Sequence, residues 1–308
     1  MIVKESLSRD ILRLFVWFPL RWTILIIPVR WGILVLRTMG DIHFCFSRGK
    51  KRILEENFFR ITNEKNYLAI REYFRNYYID RFMIFIFPRL DVKRLRKIVE
   101  ISGIENLDAA LKMGKGVLLV HGHFGPVHLP LVALARLGYR MKQIGLPSDE
   151  GLSWIGRNVA FRLRMKYEAR IPAEIIKADS FLRGAFRWLS SNGIIMITGD
   201  GSGTKNQVGR HEVFEFLGNQ VMLPIGPSIL AEKTGAALLP MFIVPGEKTH
   251  YKIILEASLT SDLCGMEKTI DITRQFLKRL ETYISKFPGY MHFIDRFAPG
   301  MLIVKEVA

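Results

Sequence analysis

Cysteine is scarce: the 308 residues hold two, Cys45 and Cys264, far apart and without ligand-like spacing. That excludes a disulfide-built scaffold and a cysteine metal site. Both thiols are expected to be reduced and buried, in a reducing compartment. A chain of about 300 residues buries a substantial core without cross-links. Nowhere does an uninterrupted apolar run approach the roughly 20 residues that span a bilayer. Zinc-finger, basic-zipper and RNA-recognition signatures are missing. Internal repeats and low-complexity linkers are missing too, and no small-x-small cleavage site follows the apolar start, which argues against a secretory signal.

Acidic residues are also in short supply, 29 against 45 basic ones, leaving a net charge of +16. Such a balance asks for an anionic partner, nucleic acid or an anionic membrane surface. Mean hydropathy of +0.15 with 49% hydrophobic residues favours the membrane. The stretch Ile11 to Gly40, "ILRLFVWFPLRWTILIIPVRWGILVLRTMG", is rich in Leu, Ile, Val, Trp and Phe, yet Arg13, Arg21, Arg30 and Arg37 interrupt it. Pro19 and Pro28 are expected to kink or break helices there. Short segments lying in the interface, with snorkelling arginines and Trp17, Trp22 and Trp31 at the boundary, fit this pattern. An apolar helix packed on the rest of the domain is the alternative.

Four regions follow: a membrane anchor over 1–40, a helical region over 41–110, an α/β domain over 111–300 and a short tail over 301–308. In the second, Phe58, Ile61, Tyr67, Ile70, Tyr73 and Phe74 keep three-to-four spacing, a core-facing stripe whose intervening charges form a solvated face. From Leu111 short aliphatic runs ("GVLLVH", "YRMKQIG", "GIIMIT", "AALLPMFIV", "YKIILE") alternate with helical patterns. This predicts a mainly parallel central sheet flanked by helices. Gly138 and Gly235 stand where helices end. The last helix, Glu267 to Phe287, stops at Pro288-Gly289.

"LLVHGHFGPVHLP", Leu118 to Pro130, places His121, His123 and His128 where a buried strand gives way to a turn. Open α/β sheets bind ligands at that edge. A histidine there serves as a general base when a second group fixes its tautomer and supports the imidazolium. Asp200, at the end of "IIMITGD", is expected at the same edge, either as that acid or as a turn aspartate capping "GDGSGT". Gly199, Gly201 and Gly203 match neither a dinucleotide fingerprint nor a P-loop. Ser202 lacks the context of a nucleophile elbow.

"VLLVHGHFGPVH" resembles the motif of the bacterial lipid A late acyltransferases, within the lysophospholipid acyltransferase group, in which a histidine is followed, four residues intervening, by Asp or Glu. "GIIMITGDGSG", "VFEFLGNQVMLPIGPSILAEKTGAALLPMFIV" and "YMHFIDRF" resemble further segments of that family in the same order. The resemblance implies an enzyme on the cytoplasmic face of the bacterial inner membrane. It would move a fatty acyl group from acyl carrier protein or acyl-CoA to a hydroxyl of a glycolipid such as a lipid A precursor, or of a lysophospholipid, without a metal or other cofactor. His123 matches the catalytic base. His128 takes the place of the acid and supplies no negative charge, although as a neutral ring it could accept a hydrogen bond from His123. In serine hydrolases, replacing the acid by its amide costs about 10⁴ in rate. Arg157, Arg162 and Arg164, in a basic cluster with Lys166 and Arg170, would bind lipid phosphates or the acidic carrier, or form a solvated helix face. Phe214 and Phe216, with Leu217, would line an acyl channel, or belong to the core.

Two other readings stay open. One is a metal hydrolase using His121, His123, His128 and Asp200. The other is a lipid-binding relative that has lost its acid. A carboxylate within hydrogen-bond reach of His123 separates the enzyme from the latter.

Overall fold

In the computed structural model, residues 6–145, 149–177, 183–201 and 209–304 are described. Ser202, Gly203 and the end of the tail, 305–308, lie outside them. The chain opens with helices: α1 (Leu7–Phe15), a π turn (Val16–Leu20), α2 (Arg21–Ile26), α3 (Val29–Phe46), α4 (Arg48–Thr62), α5 (Tyr67–Phe82) and the short α6 (Val92–Leu95). The expected break at Pro28 is present, at the N-cap of α3. Pro19 does not break the helix. It sits inside the π turn, whose wider hydrogen-bond spacing absorbs the missing N–H.

Next come β1 (Val99–Ser102), α7 (Ile104–Lys112), β2 (Val117–His121), α8 (Leu129–Arg136) and β3 (Met141–Gly145). After a second π turn (Gly156–Phe161) follow α9 (Arg162–Glu168), β4 (Glu174–Lys177), α10 (Arg183–Ser190) and β5 (Ile194–Thr198). The hairpin β6 (His211–Phe216) and β7 (Asn219–Pro224) leads into α11 (Gly226–Thr234), β8 (Ala237–Pro245), β9 (Tyr251–Leu255) and α12 (Gly265–Lys286). β1 is a strand within the stretch expected to be helical, 41–110; its four residues gain their pairing from β9, 152 positions later at Val99 and Tyr251, which local pattern cannot announce.

The main sheet has the order β1-β9-β8-β2-β5-β3-β4, parallel throughout except for the antiparallel pair β8 and β9. β2, at its centre, is buried along its whole length, which explains why it reads as a continuous apolar run. Side chains alternate between faces. Val117 and Leu119 join a core shared with α2, α3, α7 and α8, whereas Leu118 and Val120 join the core beneath α10, α11 and α12. α12 lies along the second face, with Phe276 stacked on Phe242 and Tyr283 closing over the same ring at 4.1 Å. The hairpin β6–β7 turns through Leu217 and Gly218, both left-handed (φ 51° and 69°), the twist that two-residue hairpins prefer. The Leu217 N–H is held by the Glu281 carboxylate of α12.

Helices α3 and α5 cross at Gly40, where an added Cβ would lie 2.5 Å from the Arg75 Cα. Around this contact Asp41 binds Arg71 and Arg75, and Glu72 binds Arg37 and Arg75. Trp17, expected at a membrane boundary, is instead buried edge-on against Phe85, ring centroids 4.9 Å apart. Trp22 and Trp31 are exposed, as are Leu7, Ile11, Phe15 and Ile26. Among the described residues no helix is long and apolar enough to cross a membrane. Both cysteines are free and exposed, not buried. Each sits at a helix end, Cys45 beside the exposed Phe46 and Cys264 at the N-cap of α12, where no core is available.

Because the atoms facing Gly40 are backbone and cannot turn aside, Gly40→Val should lower the unfolding free energy by about 1–3 kcal/mol. Urea unfolding measures this, and an unchanged midpoint would contradict the close crossing.

Candidate active site

The parallel pairing of β2 with β5 sets His121 beside Thr198. Continued two residues beyond each strand, the same offset sets His123 beside Asp200. The Gly199 N–H donates to the His121 carbonyl at 2.8 Å and carries the alignment past the strand ends. Asp200 then grips His123 twice: Oδ2 accepts from the His123 backbone N–H at 2.6 Å, and Oδ1 lies 2.8 Å from Nδ1. A carboxylate only accepts, so Nδ1 carries the proton and Nε2 is left as the basic nitrogen. Gly122 and Gly199 give the turn its room. A Cβ at the first would meet Leu280 at 2.9 Å, and one at the second would meet Phe276 at 2.5 Å.

The C-terminal segment covers this turn. The His292 N–H donates to the His123 carbonyl at 2.9 Å, and the Gly125 N–H donates to the Tyr290 carbonyl at 2.9 Å. The Phe293 ring lies 4.4 Å from the imidazole of His123. From the other side comes Asp80, on α5. Its Oδ1 accepts from the Val127 N–H at 3.2 Å, and its Oδ2 lies 3.6 Å from Nδ1 of His292. Asp80 is not singled out by the sequence; its side chain is only 20% exposed. No local signal marks it, because its partners are 47 and 212 residues away.

Burial disfavours the imidazolium of His123, but the charge and hydrogen bond of Asp200, aided by Asp80, outweigh it and raise its pKa above the ordinary histidine value. Burial dominates at the other rings. It lowers His128 and His292 despite the nearby Asp80, and it pushes His121 down to about 4. Burial also pushes Asp80 upward, but His292, His128, Arg164 and Arg81 hold its pKa below the ordinary carboxylate value.

His123, Asp200 and Phe216 therefore meet at one apolar cleft, completed by Leu280, Met291 and Phe297. Phe214 is buried in the core beneath. No hydrogen bond joins His128 to His123; His128 begins α8 and lies within the electrostatic reach of Asp80, Arg164 and Glu168. His121 donates from Nδ1 to the Gly122 carbonyl at 2.9 Å. Among the described residues no three His, Cys, Asp or Glu side chains converge as metal ligands. The basic cluster does not reach the cleft. Arg157 pairs with Asp149 at 3.2 Å, Arg162 is exposed, and Arg164 pairs with Glu168 at 2.7 Å beside a separate cavity.

The profile of a family described as "Bacterial lipid A biosynthesis acyltransferase" matches residues 3–298. The chain belongs to this family. It is also similar to a phosphatidylinositol mannoside acyltransferase of Mycobacterium tuberculosis (strain ATCC 25618 / H37Rv), 28% identical over 171 residues. That match covers 51% of this chain and 48% of the relative, so the chain spans about half the length of the relative it matches.

With Nε2 as the base, kcat/KM for acyl transfer should rise with pH through a pKa above the ordinary ~6.5 of histidine. Asp200→Asn removes both the charge and the ionic hydrogen bond that raise it, so the limb should move to lower pH while the rate falls by up to about 10⁴. Asp80→Asn should move the limb the same way by less. A limb that Asp200→Asn leaves in place would show that His123 is not the titrating base.

Proposed function

We propose that this acyltransferase moves a fatty acyl group from the thioester of acyl carrier protein or coenzyme A to a hydroxyl of a membrane glycolipid. Nε2 of His123 takes the hydroxyl proton as the oxygen attacks the thioester carbonyl. The tetrahedral intermediate collapses to the ester, and the leaving thiolate recovers the proton from the imidazolium. Asp200 orients the ring and offsets its positive charge. His128 belongs with Asp80 and supports the turn. The observation that carries the reading is the pair of hydrogen bonds from His123 to Asp200 beside an apolar cleft. The cleft encloses only about 20 Å³, so an acyl chain would enter by parting its apolar walls, Phe216 among them.

Work at a bilayer surface is supported by the net charge of +16 and by the exposed apolar residues of α1 to α3, among them Leu7, Ile11, Phe15, Trp22 and Trp31. The proposed location is the cytoplasmic face of a bacterial inner membrane, with the first forty residues lying in the interface. A glycolipid acceptor, a lipid A precursor or a mannosylated phosphoinositide, is in keeping with the family description and with the relative's name. A lysophospholipid is the other acceptor consistent with the chemistry.

The experiment follows a labelled acyl group from acyl carrier protein and from coenzyme A into total membrane lipid in the presence of chelator. Labelling of one lipid should fall at least about 10²-fold in His123→Ala, the span of a general base. Absence of transfer from either donor by folded protein would overturn the reading and leave a lipid-binding relative.

A further inference from the structure

A second cavity, of about 510 Å³, lies between α1, the end of α5 and residues 152–164. Four guanidinium groups line it, from Arg9 and Arg13 on α1, Arg81 on α5 and Arg164 on α9, and no carboxylate does. Arg13 is held by Asp10 Oδ1 at 2.8 Å and Ser153 Oγ at 3.0 Å, which ties α1 to the opposite wall. The Arg81 guanidinium lies 4.2 Å above the ring of Tyr77. Neither Arg9 nor Arg81 has a carboxylate within ion-pair distance among the described residues.

Like charges gathered around one space repel each other, and an anion in that space removes the cost. Guanidinium forks match phosphate oxygens in pairs. The cavity far exceeds a lone phosphate, and Trp17, Tyr77, Tyr78 and Phe161 give it flat aromatic walls suited to a ring or polyol next to the charge. Its opening adjoins apolar surface. The helix that supplies Arg9 and Arg13 exposes Leu7, Ile11 and Phe15, and Trp154, beside the opposite wall, is 73% exposed. A headgroup can therefore enter while its chains stay in the bilayer. Arg164 links the cavity to the catalytic turn, since its charge acts on both Asp80 and His128.

We propose that this cavity binds the phosphate-bearing headgroup of the acceptor lipid, with Arg9 and Arg81 as its principal charges, while the acyl group occupies the cleft on the other side of His123. The assignment rests on the reading of His123 as the base for a lipid hydroxyl. Coenzyme A and the carrier's pantetheine arm also hold phosphate, so the test separates donor from acceptor.

Full-length protein in neutral detergent is titrated calorimetrically with dihexanoylphosphatidylinositol, with dihexanoylglycerol as the uncharged control, and with coenzyme A. Arg9→Ala and Arg81→Ala should each weaken the phosphoinositide about tenfold and together about a hundredfold, with no change for the other two probes. Arg81→Lys, which keeps the charge and tests for misfolding, should recover part of the affinity. Equal phosphoinositide affinity in the double variant would overturn the proposal, as would a loss confined to coenzyme A. Because the readout is binding, arginine-dependent capture by a protein inert in transfer would uphold the cavity and overturn only the role of His123.

Discussion

The alignment of β2 with β5 is the constraint on which the site depends. Two parallel strands that pair Val117 with Ile194 and His121 with Thr198 leave little freedom for the residues that follow them. The hydrogen bond from Gly199 to the His121 carbonyl carries that alignment into the loops, so the histidine and its acid meet without a long flexible connection. The fully buried β2 resists slipping, because a shift of one residue would exchange its two packed faces. The geometry of the candidate site is in this sense a by-product of core packing.

The same sheet separates two environments. One is the apolar cleft between α12, the β6–β7 hairpin and the C-terminal segment. The other is the basic cavity under α1. Between them stand Asp80, His128 and His292, three groups of which only one is acidic. Under the proposed chemistry, the proton that His123 takes from the hydroxyl is returned to the leaving thiolate, and His123 lines the apolar cleft.

Much of this was legible in the sequence, and what was not has a physical reason. The strands of the α/β region announce themselves as short aliphatic runs. His123 and Asp200 stand out because strand ends gather ligands and a base needs an acid. The family resemblance rests on segments spread along the chain and is upheld over residues 3–298. β1 escaped because its pairing is distant, and the exposure of the cysteines escaped because helix ends override a general preference for burial. Asp80 escaped for a deeper reason: on the helix it is one charge among many, and only the fold brings Val127 and His292 to it. Trp17 shows the reverse error, an aromatic residue in an apolar, arginine-flanked segment that turns inward to Phe85.

The hairpin has a consequence of its own. Phe216, Val221 and Leu223, with Phe297 and Leu302 from the C-terminal segment, form much of the cleft's wall, yet none of them belongs to the seven-stranded sheet. The hairpin is fastened to α12 by the bond from the Leu217 N–H to Glu281 and by its buried side chains. A substitution in this rim would reshape the cleft without touching the strands that align His123. The cleft's outer wall and the His123–Asp200 pair therefore rest on different parts of the architecture.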